Sequence, residues 1–495
     1  MLTEPAVSSP PTARTEVRSD AAMVATGHPL AAQAAARLLR EGGSAVDAAI
    51  AADAVMGVVE PMATGIGGDL LAMLVMPDGT PHSYNGSGRS PMAFGASLLS
   101  GLPNQRLPER HVLTATVPGA VRGWRDLHNR HGVAPWASLF ADAIAVARSG
   151  FAVSPVAARE WALFQPVIAA DEESARLYRA HAVPRAGELF SNPELADTLT
   201  DIANAGPDAF YLGRAARAAE AACSRLGGVL MASDFAAHQG EFTVPVRARF
   251  RDLEVLECPP NTHGVAVLHA LQALDAMALD PRDPATTVAM VDSMDAAMAH
   301  AKRVVADPAG NTVCTVVVDA RGLAVTLMSS VFKRFGSGIG VPGCGFALQN
   351  RGFGFAPPGQ LNGAAPGKRP YHTVVPGAAL RNGRFHAGFG VVGGAMQPQG
   401  HVQLMVRTAA WGQALQAAID APRWRLEGNR LLATEAGTPA DVERALRNAG
   451  YAEPSGEGEL GGRSDFGGAQ VVMRNAHGEL IGGSDRRKDG MALAC

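Results

Sequence analysis

The run Asp307-Pro308-Ala309-Gly310-Asn311-Thr312-Val313-Cys314-Thr315-Val316-Val317-Val318-Asp319 decides how this chain is read. A polar loop bearing Pro and Gly gives way at Thr312 to an apolar, β-branched stretch, the pattern of a buried strand. The turn Ala320-Arg321-Gly322 comes next, then a second strand-like run, Leu323 to Met328, ending at Ser329-Ser330. A three-residue hairpin loop with Gly322 in the left-handed region pairs Asp319 with Leu323 and sets Thr312 opposite Ser330. A two-residue loop shifts that partner to Ser329. Either register brings a serine hydroxyl close to that of Thr312. Hydroxyls facing across antiparallel strands are common and need no function. The setting gains chemical meaning if Thr312 becomes a chain terminus. Its freed α-amine, with an ordinary pKa of roughly 7.7–8.0, could then act as general base for its own hydroxyl.

The rest of the composition is that of a globular protein. There are 495 residues, 47% hydrophobic and 18% charged, enough for one large or two ordinary domains. Lys+Arg 43 against Asp+Glu 46 gives a net charge of −3 with no long block of one sign, so neither nucleic acid nor membrane is an expected partner. The five cysteines, Cys223, Cys258, Cys314, Cys344 and Cys495, are widely spaced without a CxxC, which suggests neither a disulfide framework nor a zinc site. The histidines form no HExxH or close-set ligand pair, so no metal is expected. Met1 to Asp20 is rich in Pro, Ser and Thr, lacks the apolar core of a secretory signal, and reads as a disordered tail. No uncharged apolar run reaches the ~18 residues of a membrane span, and the expected compartment is the cytoplasm.

Outward from Thr312, helices and strands mix in an α/β or α+β pattern. Residues 29–41 read as a helix with Pro29 in its first turn and Gly42-Gly43 as its stop. Ser44, with Asp47 three residues on, caps a second, Ala-rich helix that reaches Val59. Glu60-Pro61 breaks it, the glycine-rich loop Thr64-Gly65-Ile66-Gly67-Gly68-Asp69 follows, and Leu70 to Met76 reads as a strand. Residues 134–230 read as mostly helical, Phe242 to Leu256 as strands, and 262–305 as helix again. Gly338-Ile339-Gly340-Val341-Pro342-Gly343 matches GxGxxG by letter. Pro342 and the surrounding glycines argue against the helix that a dinucleotide site requires. Asn85-Gly86-Ser87 spells a glycosylation sequon, but no export signal accompanies it. Cys314 reads as a small core residue.

Ordered blocks along the chain carry a resemblance: His28-Pro29-Leu30, Gly42-Gly43-Ser44-Ala45-Val46-Asp47-Ala48, Glu60-Pro61, Gly65-Ile66-Gly67-Gly68-Asp69, Val117-Pro118-Gly119, Thr312 with Val317-Val318-Asp319, Phe335-Gly336-Ser337-Gly338, Val341-Pro342-Gly343, Pro366-Gly367-Lys368-Arg369-Pro370 and Gly393-Gly394. From about Ala22 almost to the C-terminus the chain resembles the γ-glutamyltransferase (glutathione hydrolase-like) family of N-terminal-nucleophile (Ntn) hydrolases. That resemblance implies an α+β fold, a four-layer αββα sandwich. It also implies self-cleavage between Asn311 and Thr312 into a large piece, 21–311 behind the tail, and a small piece, 312–495, which stay associated. Thr312 then attacks an amide carbonyl of a small-molecule substrate and forms an acyl-enzyme. Gly393 and Gly394 supply backbone N–H groups to the oxyanion, Ser330 orients the nucleophile, and no cofactor is implied. Gly65 to Gly68 is implied to be a tight structural loop beside the site.

The blocks that hold a glutamyl group in this family are altered here. The family's Arg-Glu-Thr-Ala-Pro reads Asn85-Gly86-Ser87-Gly88-Arg89-Ser90-Pro91, with Ser87 aligned to the arginine and Arg89 two residues later. The family's Asn-Asn-x-Met-Asp-Asp-Phe reads Gln349-Asn350-Arg351-Gly352-Phe353-Gly354-Phe355, with Gly354 at the acidic position that meets the substrate amine. A paired serine becomes His372-Thr373, and an asparagine after the conserved hydroxyl becomes Phe332. Arg89 is then the candidate clamp for a substrate carboxylate, because a guanidinium fork suits one, and His372 and Thr373 are candidate substrate contacts. Losing the amine-binding acid favours hydrolysis over transfer to an acceptor. It also opens the alternative of an acylase for glutaryl or oxamyl amides. An alternative of another class is an unprocessed homologue that only binds.

Overall fold

A computed structural model describes residues 14–305, 311–454 and 466–495. In chain order the main strands are β1 (Val17–Ser19), β2 (Met23–Thr26), β3 (Asp69–Val75), β4 (Pro81–Asn85), β5 (Glu241–Thr243), β6 (Val246–Phe250), β7 (Leu253–Glu257), β8 (Asn311–Val318), β9 (Ala324–Phe332), β10 (Gly377–Arg381), β11 (Arg384–Val392), β12 (Gly468–Arg474), β13 (Leu480–Ser484) and β14 (Met491–Ala494). They form two seven-stranded sheets, ordered β14-β2-β8-β9-β3-β4-β5 and β1-β13-β12-β11-β10-β7-β6. The ladders of both sheets are antiparallel.

Alternation along the strands sorts the core into layers, since successive side chains point to opposite faces. In β8, Cys314, Val316 and Val318 enter the cluster between the sheets, with Met328 and Ala324 of β9 and Leu71, Met73 and Val75 of β3. Val313 and Val317 of β8, Val325 and Leu327 of β9, and Leu70, Ala72 and Leu74 of β3 pack the other way, against helices α1 (Pro29–Arg40) and α2 (Ala45–Val59). On the far side of the second sheet, helices α3 (Gly264–Asp275), α4 (Pro284–Val304) and α5 (Met396–Met405) cover Val255, Ala387, Phe389 and Val391. Helix, sheet, sheet, helix is the expected αββα order. The sheets meet closely because the second one carries glycine at the contact. A Cβ on Gly390 would lie 2.5 Å from Cys314 Sγ and 2.8 Å from Met328 Sδ.

Helix α2 is buried along its whole length, which is why its Ala-rich sequence shows no polar face. Its start is the expected capping box, with Asp47 N donating to Ser44 Oγ and Asp47 Oδ2 accepting from Ser44 N. One expectation needs correction. The tail read as disordered to Asp20 is strand by Val17, where Val17–Ser19 pairs with Leu480–Gly482, and Arg14 donates to Lys488 O at 3.0 Å. Ladder hydrogen bonds there outweigh a polar composition; residues 1–13 lie outside the described residues. The region 134–230 also contains a short ribbon, Phe151–Ala152 with Leu189–Phe190. No helix opens at Gly338–Gly343; Gly340–Val341 pairs with Phe346–Ala347 as a small ribbon instead. Among the described residues no helix is long and apolar enough to cross a membrane.

Candidate active site

The β8–β9 hairpin has the three-residue loop, with Gly322 N donating to Asp319 O at 2.9 Å and Asp319 N to Leu323 O at 3.0 Å. The register therefore places Val313 opposite Ser329 and holds to Val318 opposite Ala324. A bulge then intervenes. Asn311 pairs with Phe332, so Ser330 and Val331 together face Thr312. Bulges re-aim side chains and cluster beside active sites. The same parity that buries Met328 and Leu71 between the sheets turns Ser330 and Asp69 to that side, directly across from one another in the β9–β3 ladder. Thr312 is buried there as well.

The second sheet answers from the opposite wall. β11 ends at Val392, and Gly393-Gly394 turns into α5, with Gly393 at φ +114° and Gly394 at φ +63°. Those left-handed angles suit glycine. Among the described residues, neither glycine N–H finds an acceptor. Both also lie at the N-terminal, positive end of α5, which favours an anion. In the first turn of that helix, Gln397 donates from Nε2 to Thr312 Oγ1 at 2.6 Å, and its Oε1 accepts from Val375 N at 3.1 Å. His401, four residues on, accepts from Val391 N at 3.2 Å and faces Glu257 Oε1 at 2.9 Å. The strand that carries the two glycines is thus tied to α5.

Behind Ser330 lies a fully buried ionic group. Arg351 donates to Ser330 Oγ at 3.1 Å and Thr373 Oγ1 at 3.2 Å, sits 3.8 Å from Asp69 Oδ2, and covers the Phe332 ring at 4.1 Å. Phe332, at φ +78°, is held in a backbone conformation that costs a bulky residue energy. Asp69 also accepts from Gly88 N at 2.8 Å, Gln349 Nε2 at 2.8 Å and His372 Nε2 at 3.2 Å. Burial alone would raise the Asp69 carboxyl; the hydrogen bond from His372 and the charge of Arg351 outweigh it and hold it below the usual carboxylate range. Desolvation pulls Arg351 down to about 9, still protonated near neutrality, with Asp69 opposing. His372 accepts from Val374 N at 3.2 Å through Nδ1, so Nε2 carries the proton. Burial, then Arg351, lowers it to about 4 and keeps the ring neutral.

The expected residues therefore separate. Thr312 and Ser330 lie on the inter-sheet side, and the Gln397 hydrogen bond ties Thr312 to the helix that Gly393-Gly394 opens. Thr373 and His372 join them from behind, with both His372 nitrogens already engaged. Arg89 is exposed and donates to Gly367 O at 3.2 Å; only its neighbour Gly88 reaches Asp69. The glycine loop packs as a structural element, for a Cβ on Gly68 would meet Ser330 O at 2.5 Å. Cys314 is buried, which raises its thiol and keeps it unreactive. Sequence reasoning passed over Gln397, Arg351 and Asp69. Asp69 had a signal: an acid at the head of a wholly apolar strand is buried and must be paired. Gln397 had another. Helix α5 carries Gln397, Gln399, His401 and Gln403 where an apolar stripe should be, and all four are buried. Among the described residues, no cluster of three His, Cys, Asp or Glu could hold a metal.

The sequence model of the gamma-glutamyltranspeptidase family matches residues 31–314 and 308–495, nearly the entire chain. The chain belongs to this family. Among its relatives, an oxamate amidohydrolase proenzyme of Klebsiella pneumoniae is 32% identical over 95% of this chain and 98% of its own length. A glutathione hydrolase-like proenzyme of Bacillus subtilis is 30% identical, again over 95% of this chain and 98% of its own. The crystal structure of a cephalosporin acylase from Bacillus halodurans superposes with a TM-score of 0.93 at 33% identity, covering 100% of this chain and 99% of the other. The αββα sandwich is accordingly an Ntn-hydrolase fold. As a gamma-glutamyltranspeptidase family member, the chain is a proenzyme-type hydrolase or transferase acting on amide bonds.

Proposed function

We propose that Thr312 is the nucleophile of an amidohydrolase that first cleaves its own chain after Asn311. The Thr312 hydroxyl attacks the Asn311 carbonyl, an ester forms, and water opens it. The product is a large piece ending at Asn311 and a small piece beginning at Thr312. The freed α-amine then takes the proton as Thr312 Oγ1 attacks a substrate amide. The N–H groups of Gly393 and Gly394 receive the oxyanion, and one such donor is worth roughly 2.7–4 kcal/mol. The amine leaves, and water releases the acyl group. One observation carries this reading: a buried Thr312 hydroxyl at a strand head is engaged by Gln397, in the first turn of the helix that Gly393-Gly394 opens, and among the described residues neither glycine N–H has an acceptor.

The same surroundings favour an acyl group that brings a carboxylate and no α-ammonium. Asp69 is the carboxylate beside Ser330, and its oxygens already receive Gly88, Gln349 and His372 with Arg351 at its edge. An ammonium entering a dry pocket needs an anion of its own. Positive charge is in place: Arg351 behind Ser330, and Arg89 at the rim as the proposed carboxylate contact. Hydrolysis in preference to transfer, and glutaryl or oxamyl amides at least as good as γ-glutamyl ones, follow from that balance.

The test has two stages. Intact-mass analysis of purified protein should give two fragments meeting at Asn311–Thr312. The matured protein should then cleave γ-glutamyl, glutaryl or oxamyl anilides, with little acceleration by glycylglycine. Arg89→Ala beside wild type should lose acidic substrates selectively if the rim contact holds. A protein that stays whole and cleaves none of the three would instead support the binding-protein reading.

A further inference from the structure

We infer that Gln397 is a catalytic residue: its amide N–H stabilises the charge that collects on Thr312 Oγ1 when the acyl-enzyme forms and when it breaks. The inference rests on Thr312 being the nucleophile. Two hydrogen bonds fix the polarity of the Gln397 amide. Val375 N–H can only donate, so the atom facing it is Oε1, which leaves the NH2 group facing Thr312 Oγ1 at 2.6 Å. An NH2 group has no lone pair to offer a hydroxyl. The Thr312 O–H proton must therefore point away from Gln397, leaving it free for the α-amine that removes it. Polarity, burial and reach are all set before any substrate arrives. Gln397 is fully buried, and Pro398 follows it in the first turn of α5.

The steps place the demand on this contact. In acylation an Oγ1 lone pair forms the bond to the substrate carbonyl carbon, the Oγ1 proton passes to the Thr312 α-amine, and the C–N bond then breaks as the leaving amine takes that proton. In deacylation water adds to the ester carbon and gives a proton to the α-amine. The C–Oγ1 bond breaks with its electron pair staying on Oγ1, which recovers the proton. Negative charge visits Oγ1 at the start of the first step and the end of the second. A donor hydrogen bond to an ionised oxygen is about twice as strong as one to a neutral oxygen. The contact is therefore tightest in the transition states and weakest in the neutral ester, which is the condition for lowering a barrier rather than holding a ground state.

Gln397→Glu tests this directly, because it keeps the shape and the acceptor for Val375 N but loses the donor whenever the new carboxyl is ionised. Self-cleavage should slow, and kcat of the matured fraction should fall about 10²-fold at pH 8, with KM nearly unchanged. As pH is lowered and the carboxyl gains a proton it can donate, the ratio of variant to wild-type kcat should rise. Gln397→Met, which has the size but neither donor nor acceptor, should be slow at every pH. It also serves if the Glu variant does not accumulate as folded protein. Wild-type kcat in Gln397→Met, or a variant-to-wild-type ratio for Gln397→Glu that is flat with pH, overturns the inference. Failure of the wild-type protein itself to cleave at Thr312 would sink the nucleophile assignment instead, so the two failures are told apart.

Discussion

Ser329 and Ser330 are neighbours in β9, both buried, and they belong to two different regions of the molecule. Ser330 turns between the sheets, where its oxygen accepts from Arg351 and from Phe332 N at 2.8 Å. Ser329 turns towards the helices, where it donates to Asp53 of α2 and meets the hydroxyl of Thr64. Asp53 also accepts from Trp124 Nε1 at 2.8 Å. Each face holds a buried acid, and the two are treated in opposite ways. On the site face Asp69 has a guanidinium, an imidazole and two further donors, and stays ionised. On the helix face Asp53 has only neutral donors, and burial pushes it up to about 6 despite the lowering by Ser329 and Trp124. The site face surrounds its acid with positive charge that favours ionisation; the helix face gives its acid neutral donors alone, and ionisation there costs stability.

The largest effect that could break this contrast is on the proposed nucleophile. Thr312→Ala should leave the chain as one band on a denaturing gel and lower amidase activity by at least about 10⁴-fold, as loss of a nucleophile does elsewhere. Residual cleavage at Asn311 in that variant would move the chemistry away from the site face. Next comes Asp69→Ala, which strands the Arg351 charge and leaves the N–H groups of Gly88, Gln349 and His372 without their acceptor. Breaking a buried pair from one side costs about 3–5 kcal/mol, to be read from the urea midpoint. A loss under 1 kcal/mol would mean that water reaches Arg351 and the site face is wetter than its burial indicates.

Asp53 sharpens the contrast through pH. Its folded value, about 6, lies above the ordinary 3.8, so between these values the folded state binds more proton than the unfolded chain. Stability from this group is then fullest below about pH 4, is lost as pH rises through about 6, and stays lost above. The shift of about two units corresponds to about 3 kcal/mol. Asp53→Asn should therefore gain on wild type between pH 4 and pH 7 in urea unfolding. Parallel curves for the two proteins would show that folding leaves the Asp53 carboxyl at its ordinary value and would remove the contrast with Asp69.

How much of this was legible in the sequence depends on whether the signal was local. The hairpin, its glycine turn, the Ser44 capping box and the break at Glu60-Pro61 are set by neighbours in the chain, and they fold as read. The layers followed from family resemblance, since alternation in β8 says that both faces are apolar but not what covers them. The substrate side was hidden. Arg89 stood out because it lies near an expected arginine, yet it is exposed, whereas Arg351 sits among glycines and aromatics and reaches Ser330 only through a fold that brings β3, β9 and residues 349–373 together. The bulge at Thr312 was equally out of reach, because Phe332 at φ +78° gives no warning in its residue type.

The smallest effects bear on the two serines themselves, and they should divide cleanly. Ser329→Ala removes the hydroxyl donor to a buried acid and leaves the site face untouched. It should cost about 1–3 kcal/mol of stability, with kcat unchanged within about twofold. Ser330→Ala removes the acceptor for Phe332 N and for Arg351. Its stability cost should be similar, but here self-cleavage should slow and kcat should fall about 10- to 100-fold, the rate equivalent of 1.4–2.8 kcal/mol if the loss is felt in the transition state. Ser330→Thr keeps the hydroxyl and should restore most of the rate. The discriminating quantity is the ratio of kcat loss to stability loss in the two alanine variants. Equal ratios would mean that one serine does no more for chemistry than the other. The period-two sorting of site from scaffold in β9 would then be a matter of packing alone.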